Sequence, residues 1–173
     1  MNIRAAEPGD AAGIARVHVD SWRTTYPGIL PAAVLKSLSY QRRETAWTEI
    51  LARQEGVNLV AQAPSGQIVG FASAGPNRED DPRFAGELYA IYLLSSAQGK
   101  GLGRLLTQAA VSWLANHRIH SMLVWVAAAN PSRRFYESLG GQYLRSKIAT
   151  VAGIEIEEAC YGWPDTTIIL EEL

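Results

Sequence analysis

The run Glu87-Leu88-Tyr89-Ala90-Ile91-Tyr92-Leu93-Leu94-Ser95-Ser96-Ala97-Gln98-Gly99-Lys100-Gly101-Leu102-Gly103 decides the fold. After Glu87 its first residues are apolar and aromatic, the composition of a buried strand at the centre of a sheet. Three glycines at alternate positions follow, and apolar side chains then recur at Leu102, Leu105, Leu106, Ala109 and Trp113, spaced for one helix face. The order is strand, glycine-rich loop, helix.

Glycines remove side chains where a ligand must approach the backbone, and a helix starting near Leu102 points unpaired N–H groups at that space. Such donors, aligned with the helix dipole, suit a pyrophosphate, and Lys100 or Arg104 can add charge. Two commoner phosphate loops are excluded. A nucleotide P-loop needs Lys-Ser or Lys-Thr after its last glycine, where Arg104-Leu105 stand. A dinucleotide fingerprint needs a glycine where Leu106 stands and an acidic residue about 20 positions on, where Met122 to Trp125 are apolar. Taken alone, the glycines also fit a plain tight turn.

Toward the N-terminus, a short strand near Asn2 to Ala5 precedes Glu7-Pro8-Gly9-Asp10, a helix start ahead of Ile14, Val17 and Trp22. Tyr26-Pro27-Gly28 should break that helix, and a second helical stretch after Pro31, through Arg42 to Ala52, carries Trp47 and Leu51. The two helices form an aromatic flap. Leu59 to Ala63 and Gln67 to Ala74 read as a hairpin around Pro64-Ser65-Gly66, followed by a polar, acidic loop from Gly75 to Arg83.

Toward the C-terminus, a strand from Met122 to Ala128 leads to Asn130-Pro131, an N-cap with proline at the first helical position. That helix carries Phe135, Tyr136 and Leu139, with Gly140 as its stop. Gln142 to Val151 and Ile154 to Trp163 form a closing hairpin around Ala152-Gly153, so residues 1–173 read as one α/β domain.

Composition narrows the function. With 47% hydrophobic and 19% charged residues and a formal net charge of -1, nothing points to nucleic acid or an anionic membrane surface. No segment has the apolar length of a signal peptide or a membrane span. The lone Cys160 allows no intrachain disulfide and suits a reducing, cytoplasmic setting. His117 and His120 lack the further spaced ligands that zinc needs.

Gln98-Gly99-Lys100-Gly101-Leu102-Gly103 resembles the Gln/Arg-x-x-Gly-x-Gly/Ala loop of the Gcn5-related N-acetyltransferase superfamily, placed as there between the fourth strand and the third helix. A second family segment, an asparagine followed by a helix bearing Phe-Tyr-Glu and ending in glycine, is matched by Asn130-Pro131-Ser132-Arg133-Arg134-Phe135-Tyr136-Glu137-Ser138-Leu139-Gly140. The match covers about Glu87 to Gly140. Asn130 lies six positions before Tyr136, where many members have seven, and Ser132 takes the small-residue position four before it.

The resemblance implies an acyl-CoA N-acyltransferase fold: a single domain with a mixed, mostly antiparallel sheet of about six to seven strands and about four helices, splayed between strands four and five. It implies acetyl-CoA as donor and no metal. The pantetheine arm would pair with backbone around Ile91, Tyr92 and Leu93. Contacts to the cofactor would come from Gln98, Gly99, Lys100, Gly101, Leu102, Gly103 and Arg104, and from Asn130, Ser132, Arg133 and Tyr136. A homodimer follows only by family analogy.

Amide formation from a thioester needs a neutral amine, a donor to the carbonyl oxyanion and a proton for the departing thiolate. An alkyl amine titrates near 10.4, so it arrives protonated and needs an acceptor. Glu87 is the candidate base, or else a solvated carboxylate. Tyr136 holds the family position that protonates the thiolate, or else is a core aromatic. Asn130 either touches the cofactor or only caps its helix.

Trp22, Arg23 and Tyr26 lie in the flap that borders the acceptor in this family, where Arg23 would hold a substrate carboxylate; ordinary helix packing is the alternative. Glu79, Asp80 and Asp81 either attract a cation or are solvated. The function expected is acetyl transfer to a primary amine of a small molecule or amino acid, by direct attack in a ternary complex. The alternatives are a coenzyme-A-binding regulatory module and a peptide or protein N-terminal acetyltransferase.

Overall fold

The structure is a computed structural model that describes residues 1–171. The chain begins with β1 (Asn2–Ala5), then α1 (Ala11–Thr25), α2 (Ala32–Ser37), α3 (Tyr40–Arg53), β2 (Val57–Gln62), β3 (Ile68–Pro76) and β4 (Gly86–Leu93). It continues with α4 (Leu102–Asn116), β5 (Met122–Ala127), α5 (Arg133–Ser138), β6 (Gln142–Val151), β7 (Ile154–Trp163) and α6 (Thr167–Glu171). The strands form one seven-stranded sheet in the order β1-β2-β3-β4-β5-β7-β6, with β4 in the middle. Among the strands of the described residues only the β4–β5 pair is parallel, so the mixed, mostly antiparallel architecture expected from the sequence is the one observed.

The sheet is a middle layer, and β3 shows why. All of it but Pro76 is buried. Val69, Ala72 and Ala74 pack with Leu102, Leu106 and Ala110 of α4 on one face. Ile68 and Phe71 pack with Ile14 and Val17 of α1 and with Trp47 and Leu51 of α3 on the other. A strand covered on both faces is free to be apolar throughout.

The parallel pair is short. Gly86, Glu87 and Leu88 pair with Met122, Leu123 and Val124, and there the pairing stops. Beyond it β4 holds only to β3, while the rest of β5 holds only to β7. A bulge marks the point of divergence: Ala74 lies opposite Leu88 and Ser73 opposite Ala90, which leaves Tyr89 as the extra residue. One extra residue reverses the alternation of side chains. Leu88 and Ile91 therefore share the α4 face, whereas Tyr92 packs on the α1 face, and Glu87 faces that side too.

Four local features differ from the sequence expectations. The flap holds three helices, because the Ser39 hydroxyl accepts the Arg42 N–H at 3.2 Å and starts α3 afresh after a break at Leu38. With α6 this makes six α-helices among the described residues rather than about four. The buried face of α4 is Leu102, Leu106, Ala110, Val111 and Leu114, and Leu105 is 46% exposed. Asn130 is not the cap of α5: its Oδ1 accepts the Ser132 N–H at 2.9 Å in a turn before the helix, so Pro131 also lies outside the first helical position.

Candidate active site

Where β4 and β5 part, a cleft of about 830 Å³ opens, within the range that holds a small-molecule ligand. Its walls are β4 from Glu87 to Leu93, β5 from Val124 to Ala127, the glycine loop, α5, the end of α1 and part of the β6–β7 hairpin. It has two chemically different ends, and Tyr136 is part of its wall.

The loop end is made of backbone. Gly99 and Gly101 have φ of +70° and +76°, a region that L side chains rarely adopt. A Cβ at either would meet nothing within 4 Å, so what these glycines supply is conformation and open space. At Gly103 a Cβ would lie 3.2 Å from the Phe135 ring, so the third glycine lets α4 and α5 approach. The N–H groups of residues 99–103 donate to no acceptor among the described residues. An anion at this helix start would meet unpaired amide donors and the positive end of the α4 dipole, which fits the pyrophosphate of acetyl-CoA.

The polar side chains here fasten the loop. Gln98 Nε2 donates to the Leu93 carbonyl at 3.2 Å, and Lys100 Nζ donates to the Ser96 carbonyl at 2.8 Å. Gln98 and Arg104 line the cleft and Lys100 does not.

Tyr136, on α5, is buried, and its hydroxyl is pushed above its ordinary pKa by burial and then by Tyr26. It stays protonated at neutral pH and is poised as a donor. Tyr26 and Tyr92 join their hydroxyls at 3.1 Å, and burial raises the pKa of both. Asn130 is buried beside Tyr26 and lines the same cleft, as do Ser132 and Trp22. Behind Tyr92, a stacked His18 accepts the Trp47 indole N–H at 3.1 Å. Burial, helped by Arg43, lowers its pKa to about 3, so it is a neutral core residue.

The far end is made of side chains. Glu87 is 3% exposed, and both its oxygens accept from Arg78: Nη2 reaches Oε1 at 2.8 Å, while Nε and the Arg78 N–H reach Oε2 at 3.2 and 3.0 Å. The Arg78 guanidinium also lies 4.3 Å from the centre of the Tyr89 ring. Glu79 pairs with Lys147 and Arg145, and Asp81 with Arg83 and Arg145, so these two acids tie the β3–β4 loop to β6. Asp80 is exposed. Lys147 Nζ sits 3.8 Å over the Trp125 ring, and Glu158 of β7 lies directly across from Lys147.

The structure thus brings Trp22, Tyr26, Glu87, Ile91, Tyr92, Leu93, Gln98, Gly99, Gly101, Leu102, Gly103, Arg104, Asn130, Ser132 and Tyr136 to one cleft. Three other candidates lie elsewhere. Arg23 donates to the carbonyls of Leu35 and Leu38 and to the Tyr40 hydroxyl, binding the flap helices together. Lys100 turns to Ser96. Arg133 lies on α5 within electrostatic reach of Tyr161 and outside the cleft lining. Cys160 is a buried core thiol whose pKa burial raises to about 11.

Sequence reasoning missed Arg78, Trp125, Lys147 and Glu158 as residues of the cleft. One signal was present: a hairpin turning at Ala152-Gly153 already sets Lys147 opposite Glu158.

Comparison with known proteins agrees with this geometry. The model of the acetyltransferase (GNAT) family matches residues 8–141. The chain is 41% identical over 169 residues to the uncharacterized N-acetyltransferase YuaI of Bacillus subtilis, covering 98% of this chain and 96% of that protein. Among solved structures it is similar to the ribosomal-protein-alanine N-acetyltransferase of Brucella melitensis, with a TM-score of 0.71 at 24% identity over 94% of this chain and 99% of that one. It is also similar to the PaiA N-acetyltransferase of Thermoplasma acidophilum in complex with coenzyme A, with a TM-score of 0.66 at 19% identity over 91% of this chain and 96% of that one. The chain belongs to the acetyltransferase (GNAT) family and is an acetyl-CoA-dependent N-acetyltransferase.

Proposed function

We propose that the protein transfers the acetyl group to a primary amine of a small molecule or amino acid by direct attack, with donor and acceptor bound together. The observation that carries this reading is the single cleft that joins a glycine loop with unpaired amides, a buried phenol and a carboxylate-bearing aromatic end. Acetyl-CoA supplies an activated thioester carbonyl. The loop from Gln98 to Arg104 holds its pyrophosphate, and the free edge of β4 from Ile91 to Leu93 aligns its pantetheine arm and offers an amide to the oxyanion.

Tyr136 gives a proton to the leaving sulfur, a step that its burial prepares by keeping the phenol neutral. A carboxylate at the far end takes a proton from the incoming ammonium. The acceptor's body rests between Trp22 and Tyr26 of the flap and Trp125 of β5, all lining the one cleft, which suits a small apolar or aromatic amine. The whole chain acts as one domain, and its buried lone thiol suits the cytoplasm.

The test is acetyl transfer to a panel of small primary amines, amino acids and a dipeptide, comparing wild type with Tyr136→Phe. The expected result is turnover of a small amine, with kcat lowered about 100-fold or more in the variant at little cost in KM. Turnover of the dipeptide alone, or unchanged kcat in the variant, overturns the corresponding part of the reading.

A further inference from the structure

Three carboxylates line the acceptor end of the cleft: Glu79, Glu87 and Glu158. Two of them have their charge matched. Glu79 carries Lys147 and Arg145, and Glu87 accepts three hydrogen bonds from Arg78 alone. A carboxylate with both oxygens accepting from a guanidinium, and one of them also from a backbone N–H, has most of its acceptor sites occupied before any substrate arrives.

Glu158 differs. Its carboxylate accepts no hydrogen bond and makes no ion pair with any described residue, although it is half-buried in the cleft wall. Its position follows from register. On β7, Ile156 and Cys160 pack on the flap side of the sheet while Ala159, Tyr161 and Trp163 pack on the α4 side. Glu158 therefore faces the flap side, paired across the sheet with Ala127 of β5 and Lys147 of β6. The lining cations Arg78 and Lys147 are each ion-paired with another acid, Glu87 and Glu79, so Glu158 is the lining carboxylate at this end with no ion-pair partner of its own among the described residues.

We infer that Glu158 is the group that receives the acceptor's ammonium and takes its proton, and that Glu87 is instead a positioning residue that fixes the β3–β4 loop through Arg78. The inference rests on the acetyltransferase reading above and names the base within it. The proton accounting closes. The ammonium gives one proton to Glu158, which passes it to solvent, and the freed lone pair forms the C–N bond as the C–S bond breaks. The sulfur takes a proton from Tyr136, and the second nitrogen proton restores the phenol. One proton is released per turnover.

Burial raises the pKa of Glu158 above the ordinary carboxylate value, which makes it a better proton acceptor than a solvated acid. The groups that face it are Lys147 from β6, which opposes the shift, Glu79 from the β3–β4 loop and Glu87 from β4, which add to it, and Tyr26 at the end of α1. Glu158 acts when ionised, so activity is present above its raised pKa and is lost as the pH falls through it.

The experiment compares wild type, Glu158→Gln and Glu87→Gln with 2-phenylethylamine as acceptor, recording kcat/KM against pH. With Glu158 in place, the profile should reach a plateau on the alkaline side of that raised value. Glu158→Gln should lower kcat/KM about 100-fold at neutral pH and replace the plateau with a slope of about tenfold per pH unit, because the variant must wait for amine that is already neutral. Glu87→Gln should keep the shape of the wild-type profile and lower Tm.

The opposite assignment of the two profiles overturns the inference while leaving the acetyltransferase reading intact. A wild type that acetylates no amine sinks that reading, and a second readout then decides for Glu158. In the wild-type protein with coenzyme A, the Glu158 carboxyl carbon resonance should move on addition of 2-phenylethylammonium and should titrate above the ordinary carboxylate range. A resonance that stays fixed overturns the inference on its own.

Discussion

The two ends of the cleft are built by different means. The loop end is built of backbone: two left-handed glycines, a helix start and unpaired N–H groups from five consecutive residues. The acceptor end uses side chains from four separate stretches, Arg78 in a loop, Glu87 on β4, Trp125 on β5 and the Lys147 and Glu158 pair on the closing hairpin. A pyrophosphate presents the same charge whatever amine is to be acetylated, so a backbone cradle serves it without depending on side-chain identity. An acceptor is recognised by its individual shape and charge, and side chains projecting from a rigid sheet can be exchanged without disturbing the fold.

The largest expected effect tests the backbone half. Gly101→Glu combines a left-handed position that a side chain strains with a negative charge placed beside the expected pyrophosphate. Calorimetric titration should show the Kd for acetyl-CoA raised about 100-fold, or about 2.7 kcal/mol. An unchanged Kd at an unchanged Tm would break the comparison, because the loop amides would then not be the anion site.

The same contrast explains what the sequence discloses. The glycine loop is contiguous, and each of its positions has a conformational reason that can be read residue by residue. The hairpin around Ala152-Gly153 matches its expected bounds because the turn fixes its register. The splay of β4 from β5 entered through family resemblance, since the bulge at Tyr89 that accompanies it leaves no mark in an apolar run. Arg78 was illegible for another reason: it is exposed over much of its side chain and gains its role only because the bulge turns Glu87 toward it.

Nor was α6 foreseen. Asp165, whose Oδ1 accepts the Thr167 N–H at 2.9 Å, is a start signal standing before Ile168, Ile169 and Leu170, but the segment is too short for periodicity to register. Asn130 shows the converse failure. A good N-cap residue followed by proline met a turn that used the same side chain two residues early.

A middle-sized effect probes the side-chain half. Arg78→Met removes the guanidinium and leaves the 3% exposed Glu87 with only the backbone N–H as donor. A buried charge that loses its partner is costly, but Arg78 is largely solvated and part of the loss is recovered by water. Urea denaturation should show a loss of about 1–2 kcal/mol at neutral pH, and Tm should fall by about 3–6 °C. The Kd for acetyl-CoA should hold, since the loop end does not depend on this pair. A variant as stable as wild type would mean that Glu87 is not held by Arg78 in solution.

The smallest expected effect concerns Arg23, which its place in the flap sequence suggests for substrate binding and which the structure points away from the cleft. Its Nε lies 3.4 Å from the Leu35 carbonyl, Nη2 lies 3.0 Å from that of Leu38, and Nη1 lies 3.2 Å from the Tyr40 hydroxyl, so it staples the α2–α3 junction to α1. These contacts are solvent-exposed or nearly so, and each is worth little once water competes for it. Arg23→Ala should therefore cost about 0.5–1 kcal/mol of stability and leave kcat/KM for acetyl transfer within about twofold of wild type. A tenfold rise in acceptor KM without loss of stability would show instead that the flap swings Arg23 into the cleft when an acceptor binds. The acceptor end would then be assembled by motion of the flap as well as by the sheet, and the division between a preformed cofactor end and a preformed acceptor end would have to be redrawn.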